Sequence, residues 1–124
     1  MSRKKILYVD DENDIREVAQ MSLELDPEFH VRACASGASA LSEAIQWRPD
    51  LILLDVMMPE MDGPETLRRL QANPSTSGIA VVFITARTQT HEVDHYKSLG
   101  AAGVIAKPFD PMRLAQTVRS FIAG

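Results

Sequence analysis

The chain has 124 residues, which fits one domain of ordinary size, and 45% of them are hydrophobic, enough to fill a core. Its formal net charge of −4 argues against general affinity for nucleic acid or an acidic membrane surface. The single cysteine, Cys34, excludes an internal disulfide and suits a reducing, cytoplasmic setting; the N-terminal apolar run before Asp10 is too short for a signal-peptide h-region, and no run approaches a membrane span.

Strand and helix patterns alternate along the chain. Arg3-Lys4-Lys5 reads as a solvated lead into a first strand, Ile6-Leu7-Tyr8-Val9, which runs into Asp10-Asp11-Glu12. Ile15, Val18, Ala19 and Leu23 then recur at helical spacing until Pro27 stops the helix. Phe29 to Cys34 alternates apolar with polar residues, the pattern of an edge strand. Ser36 caps a second helix with Leu41, Ala44 and Ile45 on one face, ended by Arg48-Pro49. The third strand, Leu51-Ile52-Leu53-Leu54, runs into Asp55, and a loop from Met58 to Gly63 follows.

Pro64 suits the first turn of a third helix, where a missing N–H costs nothing, and Leu67 and Leu70 face inward from it. Asn73-Pro74 closes that helix. Val81-Val82-Phe83-Ile84 is a fourth strand ending at Thr85. A fourth helix from about Thr88 to Leu99 should bury Val93, Tyr96 and Leu99, with Gly100 as its stop. Val104-Ile105-Ala106 is a fifth strand ending at Lys107. Asp110-Pro111 signals the start of a last helix whose inner face is Leu114, Val118, Phe121 and Ile122. The pattern is five repeats of strand then helix, a single α/β domain expected to span 1–124 with no second, output domain.

Short apolar runs separated by helices read as buried strands of a parallel sheet. Their carboxyl ends lie on one edge, where such sheets bind ligands. Asp10, Asp11, Asp55, Thr85 and Lys107 would then converge. Three carboxylates held together repel one another. A bound Mg2+, which prefers oxygen ligands, removes that cost. An aspartate can also attack a phosphoryl group, whose equatorial oxygens a metal, a lysine and a hydroxyl would neutralise.

These residues carry a resemblance. Ile6 to Glu12, Leu51 to Gly63, Phe83 to Ala86 and Gly103 to Phe109 are together similar to the motifs of the receiver domain of bacterial two-component response regulators, in order and across the whole chain. The resemblance implies a flavodoxin-like, doubly wound, five-stranded parallel sheet of order 2-1-3-4-5. It implies that Asp55 is the phosphoacceptor and that Asp10, Asp11, Asp55 and the backbone carbonyl of Met57 hold Mg2+. Thr85 would be the switch hydroxyl, and Lys107 the phosphoryl-pairing lysine, with a cis bond to Pro108. Glu12 reads as first-turn helix charge rather than a ligand.

The implied function is a phosphorylation-activated signalling module. Its partners would be a sensor histidine kinase or phosphotransfer protein and an effector read by the fourth helix, fifth strand and fifth helix. A homodimer on phosphorylation is left open; direct nucleic-acid or membrane contact is not expected. Such a domain is not an enzyme acting on other substrates; it catalyses only its own aspartyl phosphorylation and dephosphorylation. The alternative is a phosphorylation-independent pseudo-receiver. Two departures from the family involve three positions. Val104 stands where an aromatic often swings inward, and Met57 and Arg87 occupy the variable positions beside the phosphoryl group, Arg87 either pairing with it or solvated.

One further motif competes. His91-Glu92-Val93-Asp94-His95 matches H-E-x-x-H of zinc proteases. Catalytic zinc needs a third protein ligand, and the only other histidine, His30, falls in the second strand. With Val93, Tyr96 and Leu99 facing the core, His91 and His95 are expected on the surface.

Overall fold

A computed structural model describes residues 3–122. Five strands and five helices alternate: β1 (Lys4–Val9), α1 (Asn13–Leu23), β2 (Phe29–Cys34), α2 (Gly37–Trp47), β3 (Leu51–Asp55), α3 (Gly63–Ala72), β4 (Ala80–Thr85), α4 (Thr90–Ser98), β5 (Gly103–Ala106) and α5 (Leu114–Ile122). All strand pairs are parallel and their order is β2-β1-β3-β4-β5, as expected. β2 takes one edge, in keeping with its alternating sequence.

The two-residue period of a strand divides the core into two layers. Leu7, Val9, Ile52, Leu54, Val81 and Phe83 face one side, where Ala40, Ala44, Trp47, Leu67, Leu70 and Tyr96 of α2, α3 and α4 cover them. Ile6, Tyr8, Leu51, Leu53, Val82, Ile84 and Ile105 face the other, under Ala19, Leu23, Leu114 and Val118 of α1 and α5. The central strands are covered on both faces, so their sequences are unbroken apolar runs rather than alternating ones.

Local chemistry sets the helix ends. Ser36 accepts the Ser39 N–H at 3.1 Å and Asp62 accepts the Glu65 N–H at 2.9 Å, each satisfying a first-turn donor. Arg48 closes α2 in the left-handed region at φ 53°. Gly100, at φ 109°, turns the chain out of α4 into β5.

Several expectations are corrected. α5 begins at Leu114, not at Asp110-Pro111, because Asp110 spends its oxygens on a turn: Oδ1 accepts the Met112 N–H at 2.9 Å and its carbonyl the Arg113 N–H at 3.0 Å. α4 is shorter at both ends than Thr88–Leu99; Glu92 reaches back to accept the Gln89 N–H at 3.3 Å, which fixes its start. Within α4 only Tyr96 is fully buried, and Val93 is half-buried. Ile45 is exposed, since Ala40, Ala44 and Trp47 take the core face of α2, and Val18 is exposed because Ala19, Ser22 and Leu23 take that of α1. The leading basic residues are not merely solvated. Arg3 donates to the Phe29 carbonyl at 2.9 Å and Lys5 Nζ to that of Trp47 at 3.0 Å. No helix among the described residues is long and apolar enough to cross a membrane.

Candidate functional site

The parallel sheet brings the carboxyl ends of β1, β3, β4 and β5 to one edge, and the polar residue ending each run lies there. Asp10, one residue past β1, is fully buried, and Asp55 and Thr85, the last residues of β3 and β4, are 5% and 4% exposed. Lys107 follows β5. Its N–H donates to the Thr85 carbonyl at 2.9 Å, which extends the β4–β5 pairing by one step, and its bond to Pro108 is cis.

From that position Lys107 Nζ reaches Asp10 Oδ2 at 3.0 Å and Asp55 Oδ2 at 3.4 Å, so one ammonium bridges two buried carboxylates. Asp10 is held rigidly. Its Oδ1 accepts the Glu12 N–H at 2.9 Å, its carbonyl accepts Arg16 Nη1 at 2.7 Å, and its own N–H donates to the Cys34 carbonyl at 3.1 Å. Asp11 is exposed. Oxygens of Asp10, Asp11 and Asp55 nonetheless lie within 4.8 Å of one another, and no other such metal-ligating group occurs among the described residues.

Three carboxylates against one ammonium leave two negative charges without a partner when all are ionised. The cost falls on Asp55. Burial, then the charge of Asp10, push its carboxyl from 3.8 up to about 6, although Lys107 and the nearby Met57 amide pull the other way. Burial would lower Lys107, but its hydrogen bond to Asp10 and the charges of Asp55 and Asp10 hold its pKa above the ordinary value. The donor set is all oxygen, clustered, preorganised and short of two positive charges. It therefore fits a hard divalent cation such as Mg2+, with room in the exposed Asp11 quadrant for the waters that ion retains.

The remaining residues named from the sequence fall into place as follows. Thr85 Oγ1 accepts the Arg87 N–H at 3.0 Å, so its hydroxyl is tied to the β4–α4 loop. Met57 lies two residues past Asp55 with its side chain 70% exposed; the carboxylate cluster is built without it. Glu12 Oε1 is 3.7 Å from Lys107 Nζ and stands outside the three-carboxylate group; it occupies the N-cap of α1, one residue ahead of the first turn in which it was expected. Arg87 turns its guanidinium toward Glu92 of α4, at 4.0 Å, rather than toward Asp55. Val104 is half-buried and packs with the layer that contains Phe83 and Tyr96. His91 and His95 are exposed, and His30 lies on β2 with its ring 5.3 Å from that of Trp47, so the three histidines do not assemble a zinc centre.

Sequence reasoning missed Tyr8. Read as one apolar member of the first strand, it is fully buried and its hydroxyl lies 3.3 Å from Asp10 Oδ2. Burial and the charges of Asp10 and Asp55 push its pKa above the ordinary range, so it remains a proton donor to the cluster. The available signal was parity: residues i and i+2 of a strand share a face, which puts Tyr8 beneath Asp10.

Comparison with known proteins agrees with this geometry. The family described as "Response regulator receiver domain" matches residues 6–119. The chain belongs to that family. It is 35% identical over 118 residues to response regulator Rre1 of Synechocystis, covering 95% of this chain and 51% of that protein. It is 37% identical over 118 residues to the DNA-binding response regulator MtrA of Mycobacterium tuberculosis, covering 95% and 50%. The chain thus spans about half the length of the curated relatives it matches. Among solved structures, chemotaxis response regulator CheY4 of Vibrio cholerae superposes with a TM-score of 0.88 at 31% identity, covering 97% of this chain and 99% of that one. A putative response regulator from Chloroflexus aurantiacus gives 0.88 at 28% identity, covering 99% and 100%. The chain is therefore a flavodoxin-like receiver domain of the two-component response-regulator type, consistent with a role in phosphorylation-dependent signalling.

Proposed function

We propose that this receiver accepts a phosphoryl group on Asp55 from the phosphohistidine of a sensor kinase or phosphotransfer protein, and that the modified site resets a partner-binding surface. The observation that carries the reading is the bridging of buried Asp10 and Asp55 by Lys107 at 3.0 and 3.4 Å, beside a carboxylate cluster short of positive charge. A purely structural ion pair would not need a third carboxylate, and a pseudo-receiver would not need the full set.

In the proposed step an Asp55 carboxylate oxygen attacks phosphorus in line with the donor P–N bond. The P–O bond forms as the P–N bond breaks, and its electron pair stays on the donor imidazole nitrogen. Asp10, Asp11, Asp55 and the Met57 carbonyl would hold Mg2+, which would supply charge neutralisation for the carboxylates and the phosphoryl oxygens. Lys107 exchanges Asp55 for a phosphoryl oxygen while keeping Asp10. Thr85 Oγ1 donates to a second phosphoryl oxygen, and turning toward it breaks the bond from the Arg87 N–H. Hydrolysis of the acyl phosphate by water regenerates Asp55. The domain turns over no other substrate.

The readout surface of this reading is α4, β5 and α5, offered to an effector or to a second phosphorylated copy. The domain's net charge of −4 favours a protein partner over direct nucleic-acid contact, and a cytoplasmic setting supplies the kinase. The test is intact-mass analysis after treatment with acetyl phosphate and Mg2+. One phosphoryl group should add to the wild type, none to Asp55→Asn and none without the metal; equal labelling of Asp55→Asn refutes the assignment.

A further inference from the structure

We propose a second, separate metal site on the outer face of α4, formed by the pair His91 and His95, for a borderline transition-metal cation of the Zn2+, Ni2+ or Cu2+ type. The site shares no residue with the carboxylate cluster and rests on no part of the phosphoryl reading. It gives a chemical role to the one sequence motif that the receiver function leaves unused.

At 100° per residue, His91, Asp94 and His95 fall within an arc of about 100° on α4, opposite the stripe of Glu92, Val93, Tyr96 and Leu99 that turns toward the protein. Their accessibility follows that arc. His91, Asp94 and His95 are exposed, while Tyr96 is buried and Val93 and Leu99 are half-buried. Residues four apart are separated by about 6 Å along the helix axis, a gap that two imidazoles span to place one nitrogen each about 2.0–2.1 Å from a shared ion.

The protein leaves these groups free to turn. None of the three side chains donates or accepts a hydrogen bond or enters an ion pair among the described residues; His95 makes only a tilted ring contact with Tyr96, at 5.8 Å. The glutamate of the same motif is committed elsewhere, to the Gln89 N–H at 3.3 Å and to Arg87 at 4.0 Å. It is not available as the general base of a peptidase, and the two-histidine face is therefore a binding site rather than a hydrolytic one. The ligand set selects its ion. Imidazole favours Cu2+, Ni2+ and Zn2+, whereas Mg2+ keeps to the all-oxygen cluster, so the two sites sort metals by ligand softness. An ion bridging residues 91 and 95 ties together one full turn of α4 and stabilises the nine-residue helix.

Calorimetric and thermal titrations with Ni2+, Zn2+ and Cu2+ test this, run in excess Mg2+ and in the Asp11→Ala background so that the carboxylate cluster does not contribute. One ion should bind per chain, tightest for Cu2+, with a rise in Tm of about 5 °C at saturation. His91→Ala and His95→Ala should each weaken binding at least about tenfold, and His30→Ala not at all. Imidazole NMR resonances of His91 and His95, but not of His30, should shift with Zn2+. Binding that survives either single histidine change, or that is no tighter than that of one exposed imidazole, overturns the site.

Discussion

Removing the charge of the proposed phosphoacceptor should stabilise the metal-free protein at neutral pH. Asp55 is 5% exposed and its folded-state pKa is raised from 3.8 to about 6, by burial first and by Asp10 second. A carboxyl raised in this way favours folding while protonated. Its contribution is fully present below about pH 4 and is lost as the pH rises through about 6. At 1.36 kcal/mol per pH unit, the ionised group costs the fold about 3 kcal/mol at pH 7.5. Asparagine has the same shape and no charge, and Lys107 keeps its 3.0 Å bond to Asp10. Asp55→Asn in EDTA should therefore exceed the wild type by about 1–3 kcal/mol at pH 7.5, and by much less at pH 4.5. Urea denaturation at both pH values measures the difference, and comparison of the two proteins cancels the other carboxylates. Saturating Mg2+ should close the gap, because the dication relieves the wild-type cluster and finds one ligand fewer in the variant. A variant equal to or less stable than wild type at pH 7.5, or a difference independent of pH, would refute the repulsion argument.

Three further changes probe the same cluster. Asp11→Ala removes an exposed carboxylate whose side chain has no hydrogen-bond or ion-pair partner among the described residues, so thermal melts without metal should match or exceed wild type while the Mg2+-dependent rise in Tm disappears. Lys107→Met has the opposite sign: it strips two buried carboxylates of their ammonium, and at pH 7.5 without metal should cost about 2–4 kcal/mol by urea denaturation, partly restored by Mg2+. Gly63→Ala places a Cβ 2.6 Å from the Asp55 carbonyl and 2.9 Å from Val56 Cα, so the β3–α3 loop must move; a loss of about 1–3 kcal/mol and slower labelling of Asp55 by acetyl phosphate should follow.

Most of the site was legible because the sheet is parallel and buried. A strand covered on both faces must be apolar throughout, so the first polar residue after each run marks the carboxyl edge, and Asp10, Asp55, Thr85 and Lys107 could be picked out by that rule alone. Tyr8 was not, because a phenol inside an apolar run satisfies the hydrophobic pattern and its hydroxyl partner is set only by strand parity. The start of α5 was misplaced for a related reason: Asp-Pro followed by an apolar period is a helix signal, yet Asp110 can also close a turn, and tertiary packing of Leu114 decides where the helix begins. Val18 and Ile45 sit at the margins of amphipathic stripes, where small residues such as Ala19 and Ala44 let the helix lie closer to the sheet and leave the larger neighbour outside. Composition did not distinguish those cases, since exposure of a single apolar side chain carries little penalty.

The switch itself yields the last prediction. Thr85 Oγ1 accepts the Arg87 N–H at 3.0 Å, Arg87 faces Glu92 at 4.0 Å, and Glu92 accepts the Gln89 N–H at 3.3 Å, so the hydroxyl beside the proposed phosphoacceptor is linked to the first turn of α4 through local contacts. When Thr85 turns to a phosphoryl oxygen, Arg87 loses its acceptor and the β4–α4 loop must find another arrangement. The other route, through β5, is weaker in this chain. Val104 pairs with Phe83 across the sheet and is half-buried, but it is short and β-branched, with few rotamers, and vacated space beside it exposes or covers little area. A ligand shifts such an equilibrium only by its differential affinity for the two states, so the larger rearrangement should be in the loop and α4. Amide NMR with and without beryllofluoride, a phosphoryl mimic, reads both routes in one experiment. Large shifts are expected from Thr85 to about Tyr96 and modest ones at Val104 and Ile105. The Arg87 amide should move most, since it alone loses a hydrogen bond outright. Shifts concentrated at Val104 and Ile105, with Arg87 and α4 unmoved, would show that the signal leaves the site through β5 despite the missing ring.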